Sequence, residues 1–142
     1  LLSITNSLTA QNKTITVTIE NITSNTGNVK FALYTKDNFK KKPIQGSLGE
    51  INNGKTKVVF KGLDSGEYSV ICYHDKNNNG KLDFSSRGIP LEDYGASNNN
   101  MSFAPPTFED SKFILGKEKR AFINLAHITY YGFFFTKSES LF

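Results

Sequence analysis

The residues with the most chemistry stand together near the middle of the chain, as Asp75-Lys76-Asn77-Asn78-Asn79-Gly80-Lys81-Leu82-Asp83. Oxygen-bearing side chains fill the first, third and fifth positions (Asp75, Asn77, Asn79), glycine the sixth and a carboxylate the ninth (Asp83). A main-chain carbonyl is available at the seventh, Lys81. That order is the first nine positions of a calcium loop. A hard cation takes six to eight oxygens, and alternate residues of a tight turn point them inward. Gly80 supplies the left-handed backbone that lets the chain double back, and Leu82 can anchor the loop on a core. The twelfth position is Ser86, where an EF-hand carries a bidentate Glu, and a strand rather than a helix precedes the loop. The loop is therefore read as a calcium site on a β scaffold, with Glu92, or Asp93 beside it, folding back as the missing carboxylate. Glu92 is preferred. With two charged ligands inside the loop, Ca²⁺ affinity is expected to be weak, about 0.1 to 1 mM. An Asn-rich turn without an ion gives the same pattern, so the ion is an expectation.

A second chemistry uses overlapping residues. His74, Asp75 and Glu92 suit a hydrolase or a metal-dependent enzyme. Against it, neighbouring strand residues point to opposite faces, which separates His74 from Asp75. Ser85, Ser86 and Ser97 lie in no nucleophile elbow. His74 and His127 are read as structural, the latter as isolated. Cys72 is the single cysteine; it rules out disulfide and zinc frameworks and is read as a small core residue.

The elements that must position these groups have a period of two. Residues 13–20 alternate Ile15, Val17 and Ile19 with threonines, and Val29, Phe31 and Leu33 alternate after the turn chemistry of Asn25-Thr26-Gly27-Asn28. Both are half-buried strands, and together they suggest a hairpin. Residues 55–61 and 67–74 read as further strands, as do 112–115 and 120–126 on either side of Gly116-Lys117. Residues 127–135 supply a seventh. No window shows an amphipathic helix. The expected fold is an all-β, antiparallel seven-stranded (six to eight) sandwich, an immunoglobulin/transthyretin-like Greek key. Gly66-Glu67-Tyr68 adds a tyrosine corner, with the ring packed inward and the hydroxyl bonded back to the loop. The division expected is a signal-peptide remnant or disordered segment at 1–12, a sandwich at 13–126 with a long loop at 75–110, and an aromatic extension at 127–142.

Charge narrows the partners. The chain has 142 residues, 17 Lys plus Arg and 13 Asp plus Glu, a net +4. Residues 74–110 hold three basic and six acidic groups, so the positive excess belongs to the rest of the molecule. Fifteen lysines accompany fifteen asparagines and only two arginines, a usage expected of an AT-rich genome. The tight cluster Lys40-Lys41-Lys42 precedes Pro43 in a loop, without the basic and aromatic face of a nucleic-acid binder. No apolar run reaches the roughly 18–20 residues of a membrane helix. Leu8-Thr9-Ala10-Gln11 looks like the end of a signal peptide, which favours export to the periplasm or beyond.

Several segments together resemble a bacterial family known as domain of unknown function 2141. They are 74–83, Gly88-Ile89-Pro90-Leu91-Glu92-Asp93-Tyr94-Gly95-Ala96-Ser97-Asn98-Asn99, and Pro105-Pro106-Thr107-Phe108-Glu109-Asp110. Residues 27–34 and 66–68 fit the same pattern, so the resemblance covers roughly 13–125. It implies an exported bacterial protein and assigns no activity. Asp75, Asn77, Asn79, Gly80, Asp83, Gly88 and Ile89 are more loosely similar to the calcium-binding B-type repeats of Gram-positive surface adhesins, which have Glu where this chain has Ser86. The function expected is a secreted or periplasmic module of unknown role, either a structural envelope or surface component or a binder of an envelope, carbohydrate or protein ligand through Tyr94, Asn98–Asn100, Phe103 and Phe108. Tyr130-Tyr131-Gly132-Phe133-Phe134-Phe135 and Leu141-Phe142 suggest an edge strand or a self-association segment.

Overall fold

The computed structural model describes residues 12–100, 104–129 and 132–135. The fold is all-β. Its described strands are β1 (Lys13–Ile19), β2 (Asn28–Tyr34), β3 (Gln45–Gly49), β4 (Thr56–Leu63) and β5 (Gly66–Asp75), followed by β6 (Tyr94–Ala96), β7 (Phe113–Leu115), β8 (Glu118–Phe122), β9 (Ala126–Thr129) and β10 (Gly132–Phe135). One helical turn, α1 (Phe108–Ser111), stands before β7. The smaller sheet has the order β4-β1-β8; the larger runs β10-β9-β6-β5-β2-β3, and β7 pairs with the start of β5.

Alternation builds the core. Ile15, Val17 and Ile19 of β1 and Val58 and Phe60 of β4 project from the smaller sheet, and Val29, Phe31, Leu33, Val70 and Cys72 project from the larger. All join one buried cluster. Tyr68 closes one end as a tyrosine corner, its hydroxyl donating to the Asp64 carbonyl at 2.8 Å. Burial pushes the Cys72 thiol far above the ordinary range, and it is fully enclosed. Cys72 is therefore expected to resist iodoacetamide in the folded protein even at alkaline pH, and to react fully in denaturant. Labelling of the native protein at the rate of a free thiol would contradict this packing.

The pairing differs from the expected hairpin. β1 pairs with β4 and β8, while β2 pairs with β3 and β5. Alternation specifies which face of a strand is buried, not which strand lies beside it. Between the two strands the chain crosses from one sheet to the other. Asn21, buried there, clamps the backbone of Leu125: its amide nitrogen donates to the carbonyl at 2.9 Å and its oxygen accepts the N–H at 3.0 Å. Gly116-Lys117 likewise carries the chain between sheets, since β7 joins β5 and β8 joins β1. The β1–β8 pair is parallel, so the sandwich is not purely antiparallel. The strand expected at 120–126 breaks around Asn124, whose backbone N–H is taken by the Asn99 side chain at 2.8 Å.

β3 had no sequence signal; it is a short strand with two glycines at the edge of the larger sheet. The 75–110 segment is less irregular than expected, for it contains β6, a 3-10 turn at Ser97–Asn99 and α1. The backbone of β9 and β10 forms a hairpin with β10 at the sheet edge. Residues 1–11, 101–103, 130–131 and 136–142 lie outside the described residues, and with them Phe103, Tyr130, Tyr131, Leu141 and Phe142.

Candidate functional site: the 75–93 loop

Asp75 is the last residue of β5, opposite Asn28 at the start of β2. Beyond it the chain leaves the sheet and returns as β6 along the other side of β5, with Tyr94 opposite Tyr73. The ladder extends one step outward, where His74 N–H donates to the Asp93 carbonyl at 2.8 Å. This return brings Glu92 and Asp93 back against the loop that Asp75 begins.

The loop is organised around carboxylates. Asp75 is fully buried; one oxygen accepts from Asn79 N–H at 3.1 Å and the other from Gly80 N–H at 2.9 Å. Asn77 and Asn79 each form a local turn, their side-chain oxygens accepting from the N–H groups of Asn79 (3.2 Å) and Lys81 (3.1 Å). Glu92, also buried, spans the loop's two ends. Its oxygens accept from Lys76 N–H at 3.0 Å and Asp83 N–H at 3.2 Å. Asp83 receives the amide groups of Asn77 at 2.9 Å and of Asn79 at 2.8 Å. Those two donations hold its carboxyl below the ordinary carboxylate range. The Tyr73 hydroxyl donates to the Gly80 carbonyl at 3.0 Å, and the Asn28 amide donates to the Asn78 side chain.

The residues expected at the site thus share one loop, with Asp75 and Glu92 beneath it and Asn77, Asn79, Lys81 and Asp83 above. Its donors are all oxygen, the type calcium requires. Each carboxylate or amide oxygen that accepts one N–H keeps a second lone pair. The carboxylates are nevertheless not drawn to one point. Among the described residues no three His, Cys, Asp or Glu groups are gathered closely enough to hold a metal as they stand. The amides of Asn77 and Asn79 fill the space beside Asp83 instead.

His74 does not join this loop. It lies on the inner face opposite Val29, fully buried, and its Nε2 donates to the Thr26 carbonyl at 2.7 Å. His74, Asp75 and Glu92 therefore form no common constellation. His127, read as isolated, is partnered: its Nδ1 donates to Asp93 at 2.9 Å, and Lys76 Nζ stands 3.7 Å from the other oxygen of that buried carboxylate. The partners of Asp93 lie 17 residues before it and 34 after it, so local spacing gives no sign of them. The expected ligand surface is open only in part, with Asn98 and Asn100 exposed and Tyr94 buried. Phe108 is buried, edge-on to Phe39 at 5.7 Å. Asn98 and Asn99 spend their amides on the main chain of Asp110, Lys112 and Phe122.

Fold and loop together define a β-sandwich with a carboxylate-centred Asp/Asn loop at the end of a central strand. Residues 17–123 match the model of a family described as an uncharacterized protein conserved in bacteria (DUF2141), and the chain belongs to that family. No curated protein and no solved structure matches it, so the likeness to adhesin repeats rests on the loop residues alone. Among the described residues no helix is long and apolar enough to cross a membrane.

Proposed function

We propose that the protein is an exported β-sandwich binding module whose 75–93 loop closes on one Ca²⁺. The observation that supports this reading is Asp75, a carboxylate without solvent exposure whose two oxygens both serve the loop. Buried charge without a cation is costly, and backbone N–H groups offset only part of it. Asp75, the carbonyl oxygens of Asn77 and Asn79, the Lys81 main-chain carbonyl, Asp83 and Glu92 would hold the ion. It would supply charge neutralisation and loop rigidity. Asp83, partly exposed, would swing away from the two amides, and Glu92 would keep the loop ends together. Weak affinity suits surroundings that hold millimolar calcium, which is the support for export.

Melting in EDTA and in 10 mM Ca²⁺ tests the reading, in wild type, Asp75→Ala and the milder Asp83→Asn. At 100 times the dissociation constant, linkage raises wild-type stability by about 2.7 kcal/mol. Both variants should lose most of that gain. A wild-type melting curve that is the same in both buffers would remove calcium from the function.

A further inference from the structure

The outer face of the larger sheet carries a groove of about 410 Å³ whose wall is the same loop. Its floor is Ile71 and Tyr73 of β5 with Tyr94 of β6, and Tyr34 of β2 stands at one side. Leu82 and Phe84, which flank Asp83, form the wall together with Pro90, and Pro105 and Pro106 add to the lining. This volume is at the small end of ligand sites, which run from roughly 300 to 1,000 Å³. It admits a single slender molecule.

The lining chemistry selects among such molecules. A peptide or sugar needs convergent donors and acceptors, because its own polar groups lose water on entry. Here the prolines offer no N–H, and no amide or carboxylate side chain lines the groove among the described residues. The polar side-chain groups apart from Lys40 are the hydroxyls of Tyr34, Tyr73 and Tyr94 and the Cys72 thiol, and the Tyr73 hydroxyl is already committed to Gly80. One charge is present: Lys40 at the mouth, beside the Phe39 ring at 5.5 Å, with Lys41 and Lys42 next in the chain. Among the described residues Phe84 remains 55% exposed, an open apolar wall.

We infer that this groove binds an anionic amphiphile, a carboxylate on a single acyl chain of about ten to twelve carbons. The chain would lie along Ile71, Leu82, Phe84 and the prolines, with the carboxylate beside Lys40. The assignment deepens the binding-module reading and rests on it, but it does not require the ion. Because Leu82 and Phe84 adjoin Asp83, the groove and the loop should be coupled. By reciprocity, whatever calcium adds to acyl affinity the acyl ligand adds to calcium affinity.

Titration of the full chain with octanoate, decanoate and dodecanoate in EDTA, below their micellar concentrations, tests this; calorimetry with decanol, which Ca²⁺ does not precipitate, reads the coupling in Ca²⁺ and in EDTA. One-to-one binding is expected, tightening about fourfold for each methylene buried. Phe84→Ala should weaken every acid about tenfold or more. Lys40→Met should weaken the acids about fivefold and leave decanol unchanged. Both side chains are exposed, so folding should survive their loss. Absence of saturable acid binding overturns the assignment, as does binding indifferent to both substitutions. Saturable binding of a proline decapeptide or a chito-oligosaccharide in place of the acids overturns it too. Acid binding with a melting curve that Ca²⁺ leaves unchanged would sink the ion alone; a melting curve raised by Ca²⁺ without acid binding would sink the groove alone.

Discussion

Gly27→Ala is expected to destabilise the protein by about 3 to 5 kcal/mol, near the top of the range for a single substitution. Gly27 has φ +72°, a left-handed conformation that costs any other residue strain. Space makes the position stricter still. A Cβ at residue 27 would lie 2.0 Å from the Asp75 carbonyl oxygen and 2.8 Å from the Lys76 Cα, both main-chain atoms. Neither can rotate aside as a side-chain tip would. To admit the methyl, the 25–28 turn must lift from the end of β5, where the loop begins. Urea denaturation should show the lower midpoint. A stability within 1 kcal/mol of wild type would mean that the turn does not pack on Asp75 as described.

Asp75→Asn should cost about 2 to 4 kcal/mol although it changes one atom. The carboxylate offers an oxygen to Asn79 N–H and another to Gly80 N–H. An amide matches one of these donors and turns its own N–H₂ against the other. With the residue fully buried, water cannot relieve the opposed donors. The shape is conserved, so the loss isolates carboxylate chemistry from packing. Denaturation in EDTA is the decisive condition, because a loss seen there owes nothing to an ion. If Asp75→Asn matched wild type in EDTA and differed only in Ca²⁺, the carboxylate would matter solely as a ligand.

The legible part of this molecule was its alternation. Ile15/Val17/Ile19 and Val29/Phe31/Leu33 marked two strands and their buried faces, and Gly66-Glu67-Tyr68 marked the corner. Pairing was not legible, because a buried face is satisfied by any partner across the core. β3 escaped because an edge strand with Gly46 and Gly49 presents no hydrophobic period. The three residues of β6 are too few for a period to appear. The spacing of Asp75, Asn77, Asn79, Gly80 and Asp83 located the loop, since turns closed by Asp and Asn side chains onto nearby N–H groups are a local property. The Asp93–His127 pair and the three-tyrosine floor of the groove are properties of the folded sheet. Tyr34, Tyr73 and Tyr94 sit 60 positions apart from first to last, and only strand pairing sets them side by side.

The Asn21–Leu125 clamp joins residues 104 positions apart, and it has a consequence in time. β1 is the first described element, yet the strands on both its sides come later, β4 and then β8. As the chain emerges from the ribosome, Ile15, Val17 and Ile19 must wait without their final cover until about residue 125 has followed. Closing so long a loop is entropically slow. The first described strand is thus among the last to be sealed, and the two-sheet core stays open until β8 has been made.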